Sequence, residues 1–220
     1  MSKKLPLPRV PAVPGVTRRQ QYSAATRKSL IKAAEAAFTA RGYASTSLES
    51  IVADAKVTKG ALYHHFAGKQ GLFEAVFGAV EDRATKQIHK AINKISDPFE
   101  RSRVGLQAFL TVVQQPAYRS VVMQDGPTVL GHARYREQDE QSTVSIVGDV
   151  VAGLLGPNGL NLDDEMLRVI SRVVYGALAA ASDAVAEAED TAGEVERVEA
   201  VLGLVLDGIR ALIGLQPRSE

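Results

Sequence analysis

The sequence predicts an all-α protein, in which an N-terminal unit of three helices is followed by a larger helical unit. Three observations lead to this fold class. Apolar residues recur at intervals of three and four along most of the 220 residues. The breaks between these stretches carry Gly, Pro, Asn and Asp, which are typical of helix ends and starts. The sequence shows neither the alternation of a strand nor an internal repeat.

The first helix is expected from Ala24 to Arg41, with Gly42 at its end. Its apolar face consists of Leu30, Ala34, Ala37 and Phe38. Residues 46–66 then predict two short helices joined by a tight turn, which is a helix-turn-helix. Their apolar stripes are Leu48, Ile51, Val52 and Ala55, followed by Val57, Ala61, Leu62 and Phe66. We therefore expect a helix-turn-helix domain over residues 24–72.

Hydroxyl side chains mark the starts of both short helices. Thr46 or Ser47 is the candidate N-cap of the first, and Thr58 is that of the second. The second helix leaves free a face of hydrogen-bonding groups and one residue without a side chain, formed by Thr58, Lys59, Gly60, Tyr63 and His64. Such a face can approach a DNA groove closely. Because any tight helix pair packs in a similar way, this pattern alone does not establish DNA binding. The flanking residues must distinguish a DNA-binding helix pair from an ordinary one.

The larger unit is expected over residues 73–214. A fourth helix from Gln70 to about Ile95 connects the two units, and Asp97 and Pro98 then supply an N-cap and a first helical position. Shorter helices follow up to a break at residues 125–127, and a long segment runs on to Leu155. The last two helices are expected at about 164–188 and 194–213, with a tail at residues 215–220.

Charge divides the chain in the same way. Residues 1–72 contain 12 Lys and Arg against 3 Asp and Glu, a balance of +9, whereas residues 73–220 contain 14 against 22, a balance of −8. A basic end approaches a polyanion and an acidic end is repelled by it, so this asymmetry favours a protein that docks on DNA in one orientation. Chance clustering of charge is the alternative.

Residues 1–23 are basic and rich in proline, with no acidic residue before Glu35. This composition predicts a disordered arm. Two interpretations are open for it: the arm lies on phosphates or in a minor groove beside the main site, or it is a solvated tail.

Several classes of site are not indicated by the sequence. There is no cysteine, so disulfides, thiol redox sensing, zinc fingers and iron–sulfur clusters are excluded. We find no nucleophile elbow, no phosphate-binding Gly-rich loop and no His-Glu-x-x-His motif, so no catalytic residues are assigned and an enzyme is not expected. The acidic run from Glu187 to Glu199 is better explained as a solvated helix junction than as a metal site. No signal peptide or stretch of membrane-spanning length is found, which predicts a soluble, cytoplasmic protein without cofactors.

The segment from about Thr26 to Val76 resembles the DNA-binding domain of the TetR family of bacterial transcriptional regulators. The resemblance is carried by Ala33, Ala34 and Phe38, by Arg41-Gly42-Tyr43, by Thr46, Ser47, Ile51 and Ala55, by the run from Val57 to Phe66, and by Lys69 and Leu72. The remainder resembles the family in size and helicity. One departure is Lys56, which stands where the family usually has Gly. If the turn keeps a positive φ, Lys56 costs about 1 kcal/mol relative to Gly.

The resemblance implies roles for individual residues. The DNA-facing positions would be Thr46, Thr58, Lys59, Tyr63, His64 and Lys69, with Gly60 and Ala61 allowing close approach. Tyr63 and His64 suit phosphates and residues 58–61 suit base edges, while Lys59 suits either a guanine edge or a phosphate. The alternatives are that Tyr63 belongs to the core and that His64 packs between helices, the role we expect for His65.

The family also implies an effector cavity and a dimer interface in the larger domain. The candidate pocket residues combine apolar bulk with a few polar tips: Phe109, Tyr118, Met123, Leu130, His132 and Tyr175. Plain core packing is the alternative for each. The candidate interface residues lie in the last two helices, which are rich in small side chains: Ala177, Ala181, Ala184, Val201, Leu202, Val205 and Ile209. An internal helix pair is the alternative there.

These interpretations combine into one hypothesis. The chain is expected to be a homodimeric repressor that binds a palindromic operator in double-stranded DNA and is released by a small apolar or amphipathic effector. One rival is a regulator without a small-molecule effector. The other is a helical enzyme or ligand carrier whose basic N-terminal domain is incidental.

Overall fold

The computed structural model describes residues 18–155 and 162–214. These residues form nine α-helices and one π-helical segment at Tyr118–Asp125. The α-helices are α1 (Arg18–Arg41), α2 (Leu48–Asp54), α3 (Lys59–His65), α4 (Gly68–Ile92), α5 (Pro98–Val113), α6 (Gly126–Leu130), α7 (His132–Leu155), α8 (Asp164–Glu187) and α9 (Thr191–Gly214). The all-α prediction is confirmed. Helix α1 begins earlier than the predicted Ala24, and residues 1–17 of the predicted arm lie outside the described residues, as do the loop at 156–159 and the tail at 215–220.

The helices form two compact units that divide between Val76 and Phe77. The core of the first unit is made by large side chains of α1 to α4 that are almost fully buried: Leu30, Phe38, Ile51, Leu62, Leu72 and Phe73. The rings of Phe38, Tyr43 and Phe73 contact one another at centroid distances of 5.2–5.7 Å. This core holds α2 and α3 on α1.

Side-chain caps start both short helices as the sequence predicts. The Ser47 hydroxyl accepts a hydrogen bond from the Ser50 N–H at 3.1 Å, and the Thr58 hydroxyl accepts one from the Ala61 N–H at 3.1 Å. Because a lost cap costs about 1 kcal/mol, these bonds help to fix where α2 and α3 begin. The position of the α3 N-terminus follows from them.

Lys56 occupies the turn between α2 and α3 with φ 55°, so the turn keeps a positive φ although this residue is not glycine. It is the non-glycine residue with such a φ among the described residues. We predict that Lys56→Gly raises the free energy of unfolding by about 1 kcal/mol, because glycine adopts this conformation without a steric penalty. Urea titration followed by circular dichroism measures the change. Lys32→Gly, at an exposed position inside α1, is the control and should lower stability by roughly 1 kcal/mol. A loss of stability in both variants would show that Lys56 is not strained.

In the second unit, α5, α7, α8 and α9 surround an apolar core. Its centre is formed by Val147, Val151, Leu154 and Leu155 of α7. Leu167, Ile170, Val174 and Leu178 of α8 pack against it, with Leu206 and Ile209 of α9. Asp97 caps α5 through the Glu100 N–H at 2.8 Å, with Pro98 in the first helical position as predicted.

Gly126 lies at the junction between the π-helical segment and α6. A Cβ atom there would lie 2.9 Å from Phe77 Cε2 and 3.1 Å from the Tyr135 ring. These two rings contact edge to face at a centroid distance of 5.9 Å. Glycine is therefore required for the close approach of α6 to the aromatic pair.

Helix α8 is the described helix that is long and apolar enough to cross a membrane by length and composition, with a mean hydropathy of 1.4 over its most apolar window. A single helix of this kind is weak evidence for a membrane segment. One apolar side of α8 packs on the α7 core, while Met166, Val169 and Val173 are exposed. Packing on the α7 core therefore does not explain the apolar residues on the exposed side of α8.

Candidate nucleic-acid interface and apolar cavity

The exposed side of α3 and its N-cap form a continuous polar surface, which we call the α3 surface. It consists of Thr58, Lys59, Gly60, Tyr63 and His64, all of them exposed. Tyr63 exposes 62% of its surface, so it is not a core residue. The structure thus brings five predicted DNA-facing residues together. Ala61 is half-buried at the edge of this surface.

Thr46 does not belong to the α3 surface, which corrects the prediction that it faces DNA. It is 2% exposed. Its hydroxyl donates to the Gly42 carbonyl at 2.8 Å and lies 3.2 Å from the Ala37 carbonyl, so it satisfies backbone groups at the end of α1. The role of Thr46 is to fix the connection between α1 and α2.

Lys59 is held by a carboxylate that the sequence analysis did not single out. Its Nζ lies 2.6 Å from Glu49 Oε1, and both side chains are more than half exposed. The hydrogen bond with Glu49 raises the pKa of Lys59, and the same bond lowers the pKa of Glu49. An anion that approaches Lys59 must therefore compete with Glu49. No sequence signal marks this pair, because the two residues lie on different helices.

We predict that Glu49→Gln strengthens binding to random duplex DNA by roughly threefold to tenfold at low salt, because it frees Lys59 for phosphates. Fluorescence anisotropy measures the affinity. Asp54→Asn is the matched control, since Asp54 is exposed on the same helix and its substitution removes the same charge. An equal gain in both variants would mean that net charge alone, and not the pair, controls binding.

Lys69 is ordered at the start of α4. Its ammonium lies 4.2 Å from the centroid of the Tyr43 ring and donates to the Ala44 carbonyl at 3.3 Å. These contacts restrict the side chain, so less conformational entropy is lost when it contacts a ligand. Lys69 is thus a fixed positive charge in the first unit.

A shallow groove between α1 and α3 carries further cationic and aromatic groups. It is lined by Arg19, Tyr22, Arg27, His64 and His65, among others. The Arg27 guanidinium lies 5.4 Å from the centroid of the Phe66 ring. Burial, followed by nearby His64 and Arg27, lowers the pKa of His65, which favours the neutral ring. Arg19 was not predicted as part of this groove, because α1 was expected to begin at Ala24, and no role was assigned to Arg27 within that helix.

The second unit contains an apolar cavity of about 290 Å³. It lies among α5, α7, α8 and α9, and its described lining includes Leu106, Phe109, Val147, Ile170, Val174 and Leu206. Ser102 is the polar side chain of that lining, and its hydroxyl donates to the Pro98 carbonyl at 2.8 Å. The cavity can therefore hold an apolar molecule but offers it few hydrogen-bond partners.

The predicted pocket residues are mostly placed elsewhere. Phe109 lines this cavity, whereas Tyr118 lines a separate space of about 10 Å³. Met123, Leu130 and Tyr175 are not among the described lining residues, and the side chain of His132 lies outside the described ones. The pocket residues were predicted from a mixture of apolar and polar side chains, whereas the lining of the cavity consists mainly of branched apolar side chains.

Helices α8 and α9 expose a row of large apolar residues, which we call the α8–α9 apolar face. It consists of Met166, Val169, Val173, Val201, Leu204, Val205 and Leu212. Elsewhere in the described residues, Tyr22 and Tyr63 are the large apolar or aromatic side chains with comparable exposure. Two of the predicted interface residues, Val201 and Val205, belong to this face, and Ala177 is exposed beside it. Ala181, Ala184, Leu202 and Ile209 are half-buried.

Comparison with known proteins identifies both units. Residues 30–76 match the family described as bacterial regulatory proteins, tetR family, and residues 99–209 match the tetracyclin repressor-like C-terminal domain. A TetR-family transcriptional regulator from Pectobacterium atrosepticum, known from its crystal structure, is 29% identical. The match covers 88% of this chain and 97% of that one, with a TM-score of 0.75.

Two further relatives extend the comparison. The HTH-type transcriptional regulator UidR of Escherichia coli is 23% identical over 203 residues, which cover 86% of this chain and 91% of UidR. The crystal structure of RolR in complex with resorcinol shares the fold, with a TM-score of 0.62, 18% identity and coverage of 91% and 98%. The folds and relatives are those of transcriptional regulators rather than enzymes. This chain belongs to the TetR family of bacterial transcriptional regulators and is a DNA-binding regulator.

Proposed function

We propose that this regulator is a homodimeric, cytoplasmic repressor that binds a palindromic operator and is released by a small apolar or amphipathic effector. The observation that carries the proposal is the α3 surface, which presents polar side chains around Gly60 at the N-terminus of a capped helix. The N-terminal ends of recognition helices in helix-turn-helix proteins contact base edges in the major groove.

The α3 surface has the chemistry that operator binding requires. Tyr63 and His64 are exposed donors suited to phosphate oxygens, and Lys69 adds an ordered positive charge. Residues 58–61 are placed to reach base edges, where the Lys59 ammonium can donate to guanine O6 and N7 or to a phosphate. The balance of +9 over residues 1–72 supplies the salt-dependent part of the affinity.

The α8–α9 apolar face supports the homodimer. Large exposed apolar patches on soluble proteins mark interaction sites. A two-fold dimer of a helix-turn-helix protein binds half-sites roughly 34–36 Å apart, which is one turn of DNA. The operator would then be an inverted repeat, because its symmetry follows that of the protein.

The cavity supports an effector. Its volume and its apolar lining suit a compact hydrophobic molecule, and the relative RolR forms a complex with resorcinol, a small aromatic molecule. Such an effector releases DNA only if it binds more tightly to a conformation with low operator affinity. Bound DNA then lowers the affinity for the effector by the same factor.

The test is selection of bound sequences from random duplex DNA by the purified protein. An inverted repeat with half-sites about one turn apart is expected. Lys59→Ala and Tyr63→Ala should each weaken binding to the selected operator by about tenfold or more, whereas Lys32→Ala, on the exposed side of α1, should not. Recovery of a single, non-repeated site would contradict a symmetric dimer, and a lack of enrichment would contradict the proposed operator binding.

A further inference from the structure

We infer that the apolar cavity is a composite ligand site, closed on one side by a second copy of this chain. The inference rests on the proposed dimer and deepens it, because it makes the partner copy part of the effector site. The ligand it would take is an uncharged, apolar molecule.

The burial of the lining residues shows where the cavity is open. Its inner wall is enclosed, since Phe109, Val147 and Leu154 are 4–7% exposed. By contrast, Val173 is 68% exposed and Val205 is 54% exposed, although both line the cavity. The open side of the cavity therefore lies between α8 and α9.

Ala177 supports this placement. It also lines the cavity and is exposed, and it lies four residues after Val173 on the same side of α8. Val173 and Val205 both belong to the α8–α9 apolar face. A protein surface that packs on this face therefore also covers the open side of the cavity.

The size of the face matches a second copy. At about 160–200 Å² for a fully exposed Val, Leu or Met, its seven residues leave roughly 700 Å² exposed, close to the roughly 800 Å² that each partner buries in a standard interface. A two-fold interface joins the same patch of both copies, and exposed apolar residues of both helices would then be buried against apolar residues of the partner. The partner would supply the missing wall with its own apolar side chains.

Closure by the partner has a thermodynamic consequence. A ligand in the cavity of a single copy remains exposed to water between Val173 and Val205, whereas in the dimer that side is covered. The ligand must then bind the dimer more tightly than the monomer, and by linkage it tightens the dimer. We expect an affinity difference of at least about tenfold.

The experiment uses the full chain and the uncharged fluorescent probe N-phenyl-1-naphthylamine. Leu204→Glu makes a monomer without changing the cavity, because Leu204 is 72% exposed on the face and is not a lining residue. Ala192→Glu is the control that should stay dimeric, because Ala192 is exposed on the same helix nine residues before Val201, which places it on the opposite side of α9. Sedimentation gives the mass, circular dichroism the fold, and fluorescence titration the affinity for the probe.

The expected result is that wild-type protein and Ala192→Glu bind the probe equally, and that folded, monomeric Leu204→Glu binds it at least tenfold more weakly. Leu106→Trp, which fills the cavity from α5, should abolish probe binding and leave the dimer intact. Wild-type affinity should also fall on dilution through the dimer dissociation range, which tests the inference even if Leu204→Glu fails to fold.

Two outcomes would contradict the composite site and the proposed dimer separately. Equal probe affinity for the wild-type dimer and a folded monomer would disprove the composite site and leave the proposed dimer standing. A wild-type protein that is monomeric at micromolar concentration would disprove the proposed dimer itself, and the inference with it.

Discussion

Gly60→Leu is expected to keep its fold and to lose at least about 100-fold in operator affinity, which corresponds to about 2.8 kcal/mol. A Cβ built on Gly60 meets only Thr58 Oγ1, at 3.9 Å, so the new side chain would point into open space. That space is the α3 surface, where we propose that DNA lies. The leucine would separate the helix from the base edges that residues 58–61 are placed to reach.

The same substitution should raise the stability of α3, because leucine favours a helix over glycine by roughly 0.5–1 kcal/mol. Stability and affinity are thus expected to change in opposite directions, which a purely structural role for Gly60 does not predict. Thermal unfolding and anisotropy with the selected operator measure the two effects. Gly78→Ala is the control, since a Cβ at this position of α4 meets nothing within 4 Å and Gly78 is not part of the α3 surface. Unchanged operator affinity in Gly60→Leu would show that the start of α3 does not enter the groove.

Leu204→Glu is expected to have the largest effect on DNA binding, a loss of at least about 1000-fold, or about 4.1 kcal/mol, for the complete operator. In the proposed dimer the second half-site is bound at a high effective concentration, and a monomer loses this advantage. A carboxylate at a position that the dimer buries would be desolvated without a partner, which opposes association.

Half-site DNA provides the internal comparison for this variant. A duplex with one half-site should bind Leu204→Glu and wild-type protein with equal affinity per helix-turn-helix domain, because the α3 surface is unchanged. Ala192→Glu adds the same charge to the opposite side of α9 and should bind the complete operator normally. If the monomeric variant bound the complete operator as tightly as wild-type protein does, the two half-sites would not be coupled through this face.

Local signals in the sequence were sufficient for most of the first unit. Ser47 and Thr58 in this unit, and Asp97 in the second unit, could be predicted as candidate N-caps because a cap acts within three residues of its own position. The positive φ at Lys56 was suggested by the resemblance, because the family usually has Gly at this position of the turn. The exposed side of α3 followed from the spacing of its apolar residues.

Contacts between helices could not be predicted in the same way. Thr46 has the polar side chain of a DNA-facing residue, and its burial depends on carbonyl groups at the end of α1. Glu49 and Lys59 meet because the turn brings α2 and α3 together, and no helical spacing relates them. The cavity likewise arises from the packing of several helices, which explains why Phe109 alone of the six predicted pocket residues lines it among the described side chains.

The near absence of polar groups in the cavity limits how selective the regulator can be. The hydroxyl of Ser102 already donates to a carbonyl within α5, so it is not available to recognise a ligand group by donation. A hydrophobic pocket separates ligands that differ by one methylene by about 1–3 kcal/mol and rejects an added hydroxyl only weakly. A sensor built in this way would discriminate by molecular volume. It would respond in a graded manner to a series of related hydrophobic compounds rather than to one metabolite.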